Sequence, residues 1–518
     1  MVLWNSMPAA ARPGASWLAM LWPALFVLAC GLTFGLTLAC PIAPLDDFLN
    51  HLTRMHLLFD EGRGAASPYY RTAWALYPNL AMDLTVPALA RWTGVDRAAQ
   101  IFLLTAQMLI VGGAVALEWA VKRRFDYAGF IALLLLYSIP FAWGFVNFEF
   151  GCGVALWGVA AWIALREKSV VVRFAVHGLF VAALFACHMV ALGLYGFTLG
   201  VCELHRAHGR RDSPAALAGT LVLLAAPAAA ALAAMALNGA AIGNSGNDWD
   251  WLHKPVWPVL ALNGFSLPVS LVGFNLLAWM ALRLGKAGLR PQGAGGWLAP
   301  GFGLLYLATP MVLRDTAFVD VRVVVGGALI LPAFISVRCP DDLWRRRAAA
   351  ALAALVLVNL AVTGRLWLSY RDDYAGLLAS FDKIPMQAKI VVAGEGGDSP
   401  FANLEQAPMT HGPTLAAHYR QALVTTLMAT GGKQPLAMRP GFERLNSADR
   451  GPLGLDVLAR IRAGAPGPDY LAAWPADYDY LYYVGPPRDN LMPDLLQEID
   501  RRPRFTLYRI LKSPAAAQ

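Results

Sequence analysis

Charged residues are scarce in this chain. Asp, Glu, Lys and Arg make up 15% of its 518 residues, whereas hydrophobic residues make up 57%. Soluble globular domains have about a quarter of their residues charged, so this composition excludes an ordinary globular enzyme. The hydrophobic residues instead come in blocks long enough to cross a hydrocarbon core of about 30 Å. The sequence therefore predicts a protein that spans a membrane many times.

Cysteine is also scarce. The chain has six cysteines, which all lie in or beside hydrophobic blocks. Their spacing supports neither a metal site nor a disulfide framework, so we interpret them as lipid-facing or core-packing residues. The glycine-rich segment at residues 394–397 is not followed by the Lys and Ser or Thr of a phosphate loop. We therefore assign no metal ligand and no cofactor, and leave a divalent metal open.

The distribution of the formal charge of +8 predicts how the chain is oriented. Most Lys and Arg residues lie in short loops between hydrophobic blocks, where such residues are retained on the cytoplasmic side. We therefore predict no nucleic-acid partner. A cytoplasmic N-terminus and about eleven spans place nearly all of the basic clusters inside. The predicted spans cover residues 17–39, 98–121, 127–145, 148–165, 170–186, 189–204, 215–237, 256–282, 297–313, 317–337 and 348–362.

Residues 41–97 form an unusually long outer loop between the first two predicted spans. Within it, the apolar piece 72–92 is interrupted by Pro78, Asp83 and Pro87. Counting this piece as a span would reverse everything after it and put Lys122 and its basic neighbours outside. We therefore expect a surface or re-entrant helix at the outer face of the membrane.

The composition changes after residue 362, where Asp, Tyr, Pro and Gly become frequent and membrane-length apolar runs end. Segments 389–394, 478–485 and 505–511 read as short strands bounded by Gly and Pro. Segments 414–428 and 456–463 have helical character. The sequence therefore predicts a polytopic α-helical membrane domain at residues 1–363 and a small α/β domain at residues 364–518, on the outer side.

The segment DDFLNHLTRM at residues 46–55 is the most informative charged stretch. Its apolar positions follow helical spacing and are Leu45, Phe48, Leu49, Leu52, Met55 and Phe59. The opposite face carries Asp47, Asn50, His51 and Arg54. A helix lying flat on the membrane would hold this polar stripe at the boundary between lipid and water. The alternative is a purely solvated face, because any juxtamembrane helix needs a polar side.

Outer cations run against the usual retention of positive charge on the cytoplasmic side and call for a reason. They are Arg63, Arg71, Lys254 and Arg314. Asp320 and Arg322 lie near the outer end of a predicted span, where an isolated charge is costly, so we expect them to pair with each other or with a substrate. An anionic lipid headgroup such as a phosphate or pyrophosphate would explain the cations through charge-assisted hydrogen bonds.

Together these features resemble the GT-C superfamily of membrane glycosyltransferases. The shared features are a long first outer loop with two interfacial helices and an early acidic residue, about eleven spans, and a C-terminal outer α/β domain. Residues 47–54, DFLNHLTR, are similar to an Asp-x-x-Asn-His-x-x-Arg pattern in bacterial relatives of that group, and residues 413–423 and 478–485 also resemble that set. The chain lacks the early Asp-Glu pair of better-known branches and the Trp-Trp-Asp signature of oligosaccharyltransferases.

The resemblance implies that an acidic residue of the first loop acts on an acceptor while a polyprenyl-phosphate-linked sugar is the donor. The matching position is Asp47, with Asp46 as the fallback. A hydroxyl that attacks an anomeric carbon needs a base, and a phosphate leaving group needs positive charge. His51 is expected either to orient the Asp47 carboxylate or only to satisfy neighbouring groups. The other expected substrate-binding residues are Asn50, Arg54, Arg71, Lys254, Arg314, Asp320 and Arg322.

The sequence thus predicts a glycosyltransferase of the bacterial inner membrane with a periplasmic C-terminal domain. Its expected partners are a polyprenyl-phosphate-linked sugar, an envelope lipid or glycan acceptor, and the surrounding membrane lipids. One rival is a transporter or flippase of lipid-linked intermediates, which is expected to show internal repeats, and the sequence shows none. A second rival is a non-catalytic envelope assembly factor, for which Asp47 would be dispensable.

Overall fold

The computed structural model describes residues 15–238, 246–314, 316–395, 407–447 and 451–512. Most of this part of the chain is helical. In chain order the helices are α1 (Ala15–Ala39), α2 (Phe48–Glu61), α3 (Ala81–Thr93), α4 (Val95–Lys122), α5 (Ala128–Leu135), α6 (Ile139–Ala142), α7 (Val146–Ala164), α8 (Val170–Cys187), α9 (Met189–Arg210), α10 (Pro214–Leu237), α11 (Trp257–Leu260), α12 (Leu267–Gly288), α13 (Gly295–Ala308), α14 (Val319–Ile330), α15 (Asp342–Ser380), α16 (Ala416–Tyr419), α17 (Leu455–Arg462) and α18 (Trp474–Asp477).

Seven helices of the described chain are long and apolar enough to cross a membrane, namely α1, α4, α7, α8, α10, α12 and α15. The predicted polytopic helical fold is therefore confirmed, although seven crossings by this criterion are fewer than the eleven predicted. The other four predicted spans do not satisfy this criterion, because their helices are divided, short or charged near one end. The 127–145 block is divided into α5 and α6, and α13 and α14 have only 14 and 12 residues. The last turns of α9 carry Glu203, Arg206 and Arg210.

The strands belong mainly to one mixed sheet near the C-terminus. In chain order they are β1 (Tyr70–Thr72), β2 (Leu289–Pro291), β3 (Ile335–Val337), β4 (Lys389–Gly394), β5 (Leu423–Val424), β6 (Leu436–Met438), β7 (Leu453–Gly454), β8 (Tyr480–Val484), β9 (Leu496–Arg502) and β10 (Phe505–Ile510). The main sheet has the order β5-β4-β8-β10-β9, and β7 also pairs with β4. The pairs of β4 are parallel, whereas β10 runs antiparallel to β8 and β9. The expected α/β domain is thus present.

Of the two helices predicted in this domain, one is confirmed and the other is wrong. Segment 456–463 lies on α17, as predicted. The helix predicted at 414–428 is wrong, because that stretch holds the end of a 3-10 turn (Gly412–Leu415), the single turn α16 and strand β5. Strand β5 forms here because Leu423 and Val424 pair with β4 and are fully buried.

The C-terminal sheet packs directly on the long loop between α1 and α4. Strand β1 of that loop pairs antiparallel with β6, with Arg71 opposite Ala437. One hydrophobic cluster joins residues of α2 and α3 with residues of β4, β5 and β8. Helix α15 has 39 residues, and positions 363 and 364, where the junction between domains was predicted, lie in its interior. These contacts place α2 between the helical bundle and the sheet.

Candidate functional site

Asp46 and Asp47 lie at the start of α2 and are held through their backbone. The amide N–H of Asp46 donates to the carbonyl of Ala142, and that of Asp47 donates to the carbonyl of Trp143, each at 3.0 Å. The next residue, Gly144, has φ of +83°, and a Cβ there would lie 2.9 Å from the Asp47 nitrogen. Glycine avoids both the strain and the collision. The turn after α6 therefore fixes where the two carboxylates emerge.

The polar stripe of α2 is not a purely solvated face, because Asp47 and His51 are half-buried and Asn50 and Arg54 are buried. Asn50 and Arg54 have 0% and 2% of their surface exposed. They face the sheet domain instead. The Asn50 amide donates to the Thr426 carbonyl at 2.9 Å and accepts from the Met428 N–H at 2.9 Å. The sequence could not reveal this, because an amphipathic pattern shows that a second face is polar but not what covers it.

His411 of the sheet domain reaches the same point. Its Nδ1 is 3.0 Å from Asn50 Nδ2, and its Nε2 is 3.5 Å from Asp47 Oδ1. Sequence analysis missed this residue, since 364 positions separate it from Asp47 and a lone His has no spacing signal. The available hint was its position just before residues 413–423, which supported the family resemblance.

Arg54 forms a buried ion pair within the protein. Its Nε and Nη2 donate to the two carboxylate oxygens of Asp83 at 2.6 and 3.1 Å. Its Nη1 donates to Gln434 at 2.7 Å and to His51 Nδ1 at 3.1 Å. Every nitrogen of the guanidinium is thus engaged, which is the pattern of a structural bidentate pair. Asp83 was noticed in the sequence only as an interruption of an apolar segment.

The contact with Arg54 determines which ring nitrogen of His51 carries the proton. A guanidinium can only donate, so His51 Nδ1 accepts and the proton of the neutral ring lies on Nε2. Burial, together with the positive charge of Arg54 and the neighbouring His411, holds the pKa of His51 well below its usual value. His51 is therefore a neutral N–H donor at the half-buried edge of the site.

Arg322 on α14 has free hydrogen-bonding capacity. It is 4% exposed, and its Nε and Nη1 have no hydrogen-bond partner in the described part of the chain. Its guanidinium lies 4.0 Å from the ring centre of Phe145. The charges of Asp47 and Glu149 act on it as electrostatic neighbours. A buried cation with unused N–H groups is costly unless a ligand satisfies it.

The other predicted site residues lie elsewhere or are already paired. Lys254 Nζ donates to Asp320 at 3.0 Å and to the carbonyls of Tyr306 and Thr309 at 3.2 and 2.8 Å, so its three N–H groups are used. Asp320 therefore pairs with Lys254 and not with Arg322. Arg71 and Arg314 are exposed, on β1 and on a turn before α14. Arg322, in contrast, is an electrostatic neighbour of Asp47.

Asp46 occupies a different environment from Asp47. Burial, followed by repulsion from Asp47, raises the pKa of Asp46 well above its usual value, and a hydrogen bond with Thr410 partly opposes the shift. Its Oδ1 has no hydrogen-bond partner within the described residues. One carboxyl of this pair is therefore favoured as neutral. Across residues 15–512, outside the gaps named above, no group of three or more His, Cys, Asp or Glu is arranged to hold a metal ion. The possible use of a divalent metal stays a prediction.

Comparison with known proteins bears on the fold. No family model matches the chain, and no curated protein matches it. Its structure is similar to that of ArnT from Cupriavidus metallidurans bound to undecaprenyl phosphate, with a TM-score of 0.51, 12% identity, and coverage of 96% of this chain and 99% of that one. The apo state of ArnT gives a TM-score of 0.49 at 13% identity, covering 95% and 98%. At such low identity the likeness shows the fold alone, and the chain shares the overall membrane-protein fold of the ArnT structure.

Proposed function

We propose that this protein is a glycosyltransferase that takes a sugar from a polyprenyl-phosphate carrier and transfers it to a cell-envelope acceptor at the periplasmic face of the bacterial inner membrane. Asp47 is the base that accepts the proton of the attacking hydroxyl. Arg322 binds the phosphate that leaves the anomeric carbon. His51 donates a hydrogen bond from its Nε2–H to the substrate and keeps its proton.

One observation carries the proposal, namely that the buried Arg322 guanidinium has two unused nitrogens and is an electrostatic neighbour of Asp47. A phosphate oxygen is the ligand that a guanidinium fork binds best. Transfer of a sugar from a phosphate carrier requires this combination, because a base must activate the acceptor while positive charge stabilises the leaving group.

The fold supports the chemical class of the donor. The solved ArnT structure that this chain resembles over nearly its whole length contains undecaprenyl phosphate. A polyprenyl phosphate places its charged group at the membrane surface and its chain in the lipid. The site between α2, α14 and the sheet domain, next to the apolar helical bundle, suits such a molecule.

Replacing Asp47 tests the proposal directly. Asp47→Asn keeps the size of the side chain but removes the base, so we expect sugar transfer to fall by about a hundredfold or more. The measurement is release of labelled sugar from polyprenyl-phosphate donors by the purified protein in detergent, with envelope lipids as acceptors. Asp60→Asn is the matched control, because Asp60 lies at the other end of α2 and pairs with His418 at 2.7 Å. Equal activity of wild type and Asp47→Asn would exclude Asp47 as the base.

A further inference from the structure

His411 of the sheet domain lies beside the Asp47 carboxylate of the first loop. His411 directly precedes the 3-10 turn Gly412–Leu415. This turn packs on α2, where Thr414 Oγ1 is 3.0 Å from Thr53 Oγ1. The buried His411 ring thus lies between Asn50 on α2 and Asp47, the residue that immediately precedes α2.

The hydrogen bonds around Asn50 determine which nitrogen of His411 carries its proton. Asn50 Oδ1 accepts from the Met428 N–H, and Asn50 Nδ2 donates to the Thr426 carbonyl. These two backbone partners fix the orientation of the Asn50 side-chain amide. If the amide were flipped, its NH₂ group would face the Met428 N–H and its oxygen would face the Thr426 carbonyl. The second proton of Asn50 Nδ2 therefore points to His411 Nδ1, which must accept it. The ring proton is left on Nε2, 3.5 Å from Asp47 Oδ1.

The charge state agrees with this arrangement. Burial lowers the pKa of His411 to about 4, although the backbone carbonyl of Thr426 opposes the shift. The charged and titratable groups that face this corner are His51 and Arg54 from α2, Asp46 and Asp47 before it, and Arg322 from α14. At neutral pH the ring is therefore uncharged, and its Nε2 lies 3.5 Å from Asp47 Oδ1.

We propose that His411 is a positioning residue that holds the Asp47 carboxylate ionised and oriented through its Nε2–H, with Asn50 fixing the tautomer. The inference rests on the proposed function, in which Asp47 is the base. In this proposal, the active site is formed by residues of both the membrane domain and the sheet domain. A hydrogen bond to the ionised form of a carboxylate favours that form, so loss of the donor makes the base less available at low pH.

Two substitutions test separately the roles of the two ring nitrogens of His411, the acceptor Nδ1 and the donor Nε2. His411→Asn keeps an acceptor near the Nδ1 position for Asn50 but removes the donor to Asp47. His411→Gln keeps a donor near the Nε2 position but removes the acceptor. For His411→Asn we expect kcat to fall about tenfold or more with little change in the KM of the donor, and the acidic limb of the pH–rate profile to move to higher pH. For His411→Gln we expect most of kcat and the original profile to be retained.

His418→Asn is the matched control, because His418 also belongs to the sheet domain, packs on α2 and contacts Asp60 rather than Asp47. If His411 only supported the fold, its two variants would lose activity and thermal stability equally, and the profile would not move. That result, or a wild-type kcat in His411→Asn, would overturn the inference.

A second measurement does not depend on sugar transfer. Nitrogen-15 NMR of the full-length protein in detergent, labelled at its nine histidines, reports the tautomer of each ring. We expect the signal that disappears in His411→Asn to belong to a neutral ring protonated on Nε2, and to shift in Asp47→Asn. A ring protonated on Nδ1 would refute the inference. If the NMR result holds but Asp47→Asn stays fully active, the proposed function fails while the contact stands.

Discussion

Among individual residues, Arg322 is a buried cation, 4% exposed, whose Nε and Nη1 have no hydrogen-bond partner in the described part of the chain. Most buried polar side chains nearby have identified partners, such as Arg54 with Asp83 and Lys254 with Asp320. Buried polar groups are normally hydrogen-bonded, and leaving a charged group unsatisfied is the most costly case, so the proposed phosphate ligand would satisfy the unused N–H groups of Arg322. The guanidinium carbon lies 4.0 Å from the ring centre of Phe145, a cation–π contact that uses none of its N–H groups.

Arg322→Lys tests this role. Lysine keeps the positive charge but loses the planar fork and the stacking on Phe145, so we expect the KM of the polyprenyl-phosphate donor to rise about tenfold with a smaller change in kcat. Steady-state kinetics at varied donor concentration supply the measurement. Arg314→Lys is the control, since Arg314 is exposed and should leave KM unchanged. An unaltered donor KM in Arg322→Lys would argue against phosphate binding at this residue.

At the scale of elements, the start of α2 depends on the turn that follows α6. Gly144 lets the backbone of Asp47 approach closely, and the carbonyls of Ala142 and Trp143 hold the two aspartates by their amides. The position of Asp47, the proposed base, is therefore set by backbone contacts between two separate elements. Side-chain variants of α2 alone would not disturb this part of the site.

Gly144→Ala should displace α2 at its first residue. The new Cβ would lie 2.8 Å from the Phe48 nitrogen and 2.9 Å from the Asp47 nitrogen, in addition to about 1 kcal/mol of strain from positive φ. We expect a marked loss of sugar transfer and a lower thermal midpoint in detergent. Gly64→Ala is the matched control, because Gly64 has φ of +87° but open space around it, so it carries the strain without the collision. If both variants behave alike, the close approach of Gly144 does not position the base.

The elements that the sequence predicted best are those decided by local pattern. Long apolar runs predicted α1, α4, α7, α8, α10 and α12, because a helix satisfies its own backbone hydrogen bonds in lipid. Short segments bounded by Gly and Pro likewise predicted β4, β8 and β10. The partners of charged residues were not predictable in this way. Arg54 could have met substrate, water or any carboxylate, and only the tertiary fold brings Asp83 to it.

At the scale of the whole molecule, Tyr70 joins the first loop to the sheet domain. It is 1% exposed, and its hydroxyl accepts from the Val424 N–H at 2.9 Å and donates to the Val424 carbonyl at 3.3 Å. A single side chain thus completes the hydrogen bonds of an edge residue of the main sheet. The same junction brings His411 to Asp47, so its rigidity matters to the site.

Tyr70→Phe should loosen this junction. The substitution leaves the buried N–H and carbonyl of Val424 without this partner, at a cost of about 1–3 kcal/mol. We expect faster hydrogen exchange in β5 and β6, measured by mass spectrometry of the protein in detergent, together with reduced sugar transfer. Tyr77→Phe is the control, because the Tyr77 hydroxyl donates to Ala73 within the same loop. Unchanged exchange in β5 would show that the junction does not depend on Tyr70.

Helix α15 limits which changes of chain length the protein can accept between its membrane helices and its sheet domain. Its 39 residues run without interruption from the last membrane crossing to the sheet domain, over about 58 Å. Each residue added to an α-helix turns everything beyond it by about 100° and lifts it by about 1.5 Å. A single insertion or deletion in α15 would therefore rotate His411 away from Asp47. Sheet domains can be exchanged between chains of this fold only when the helical phase across this segment is kept.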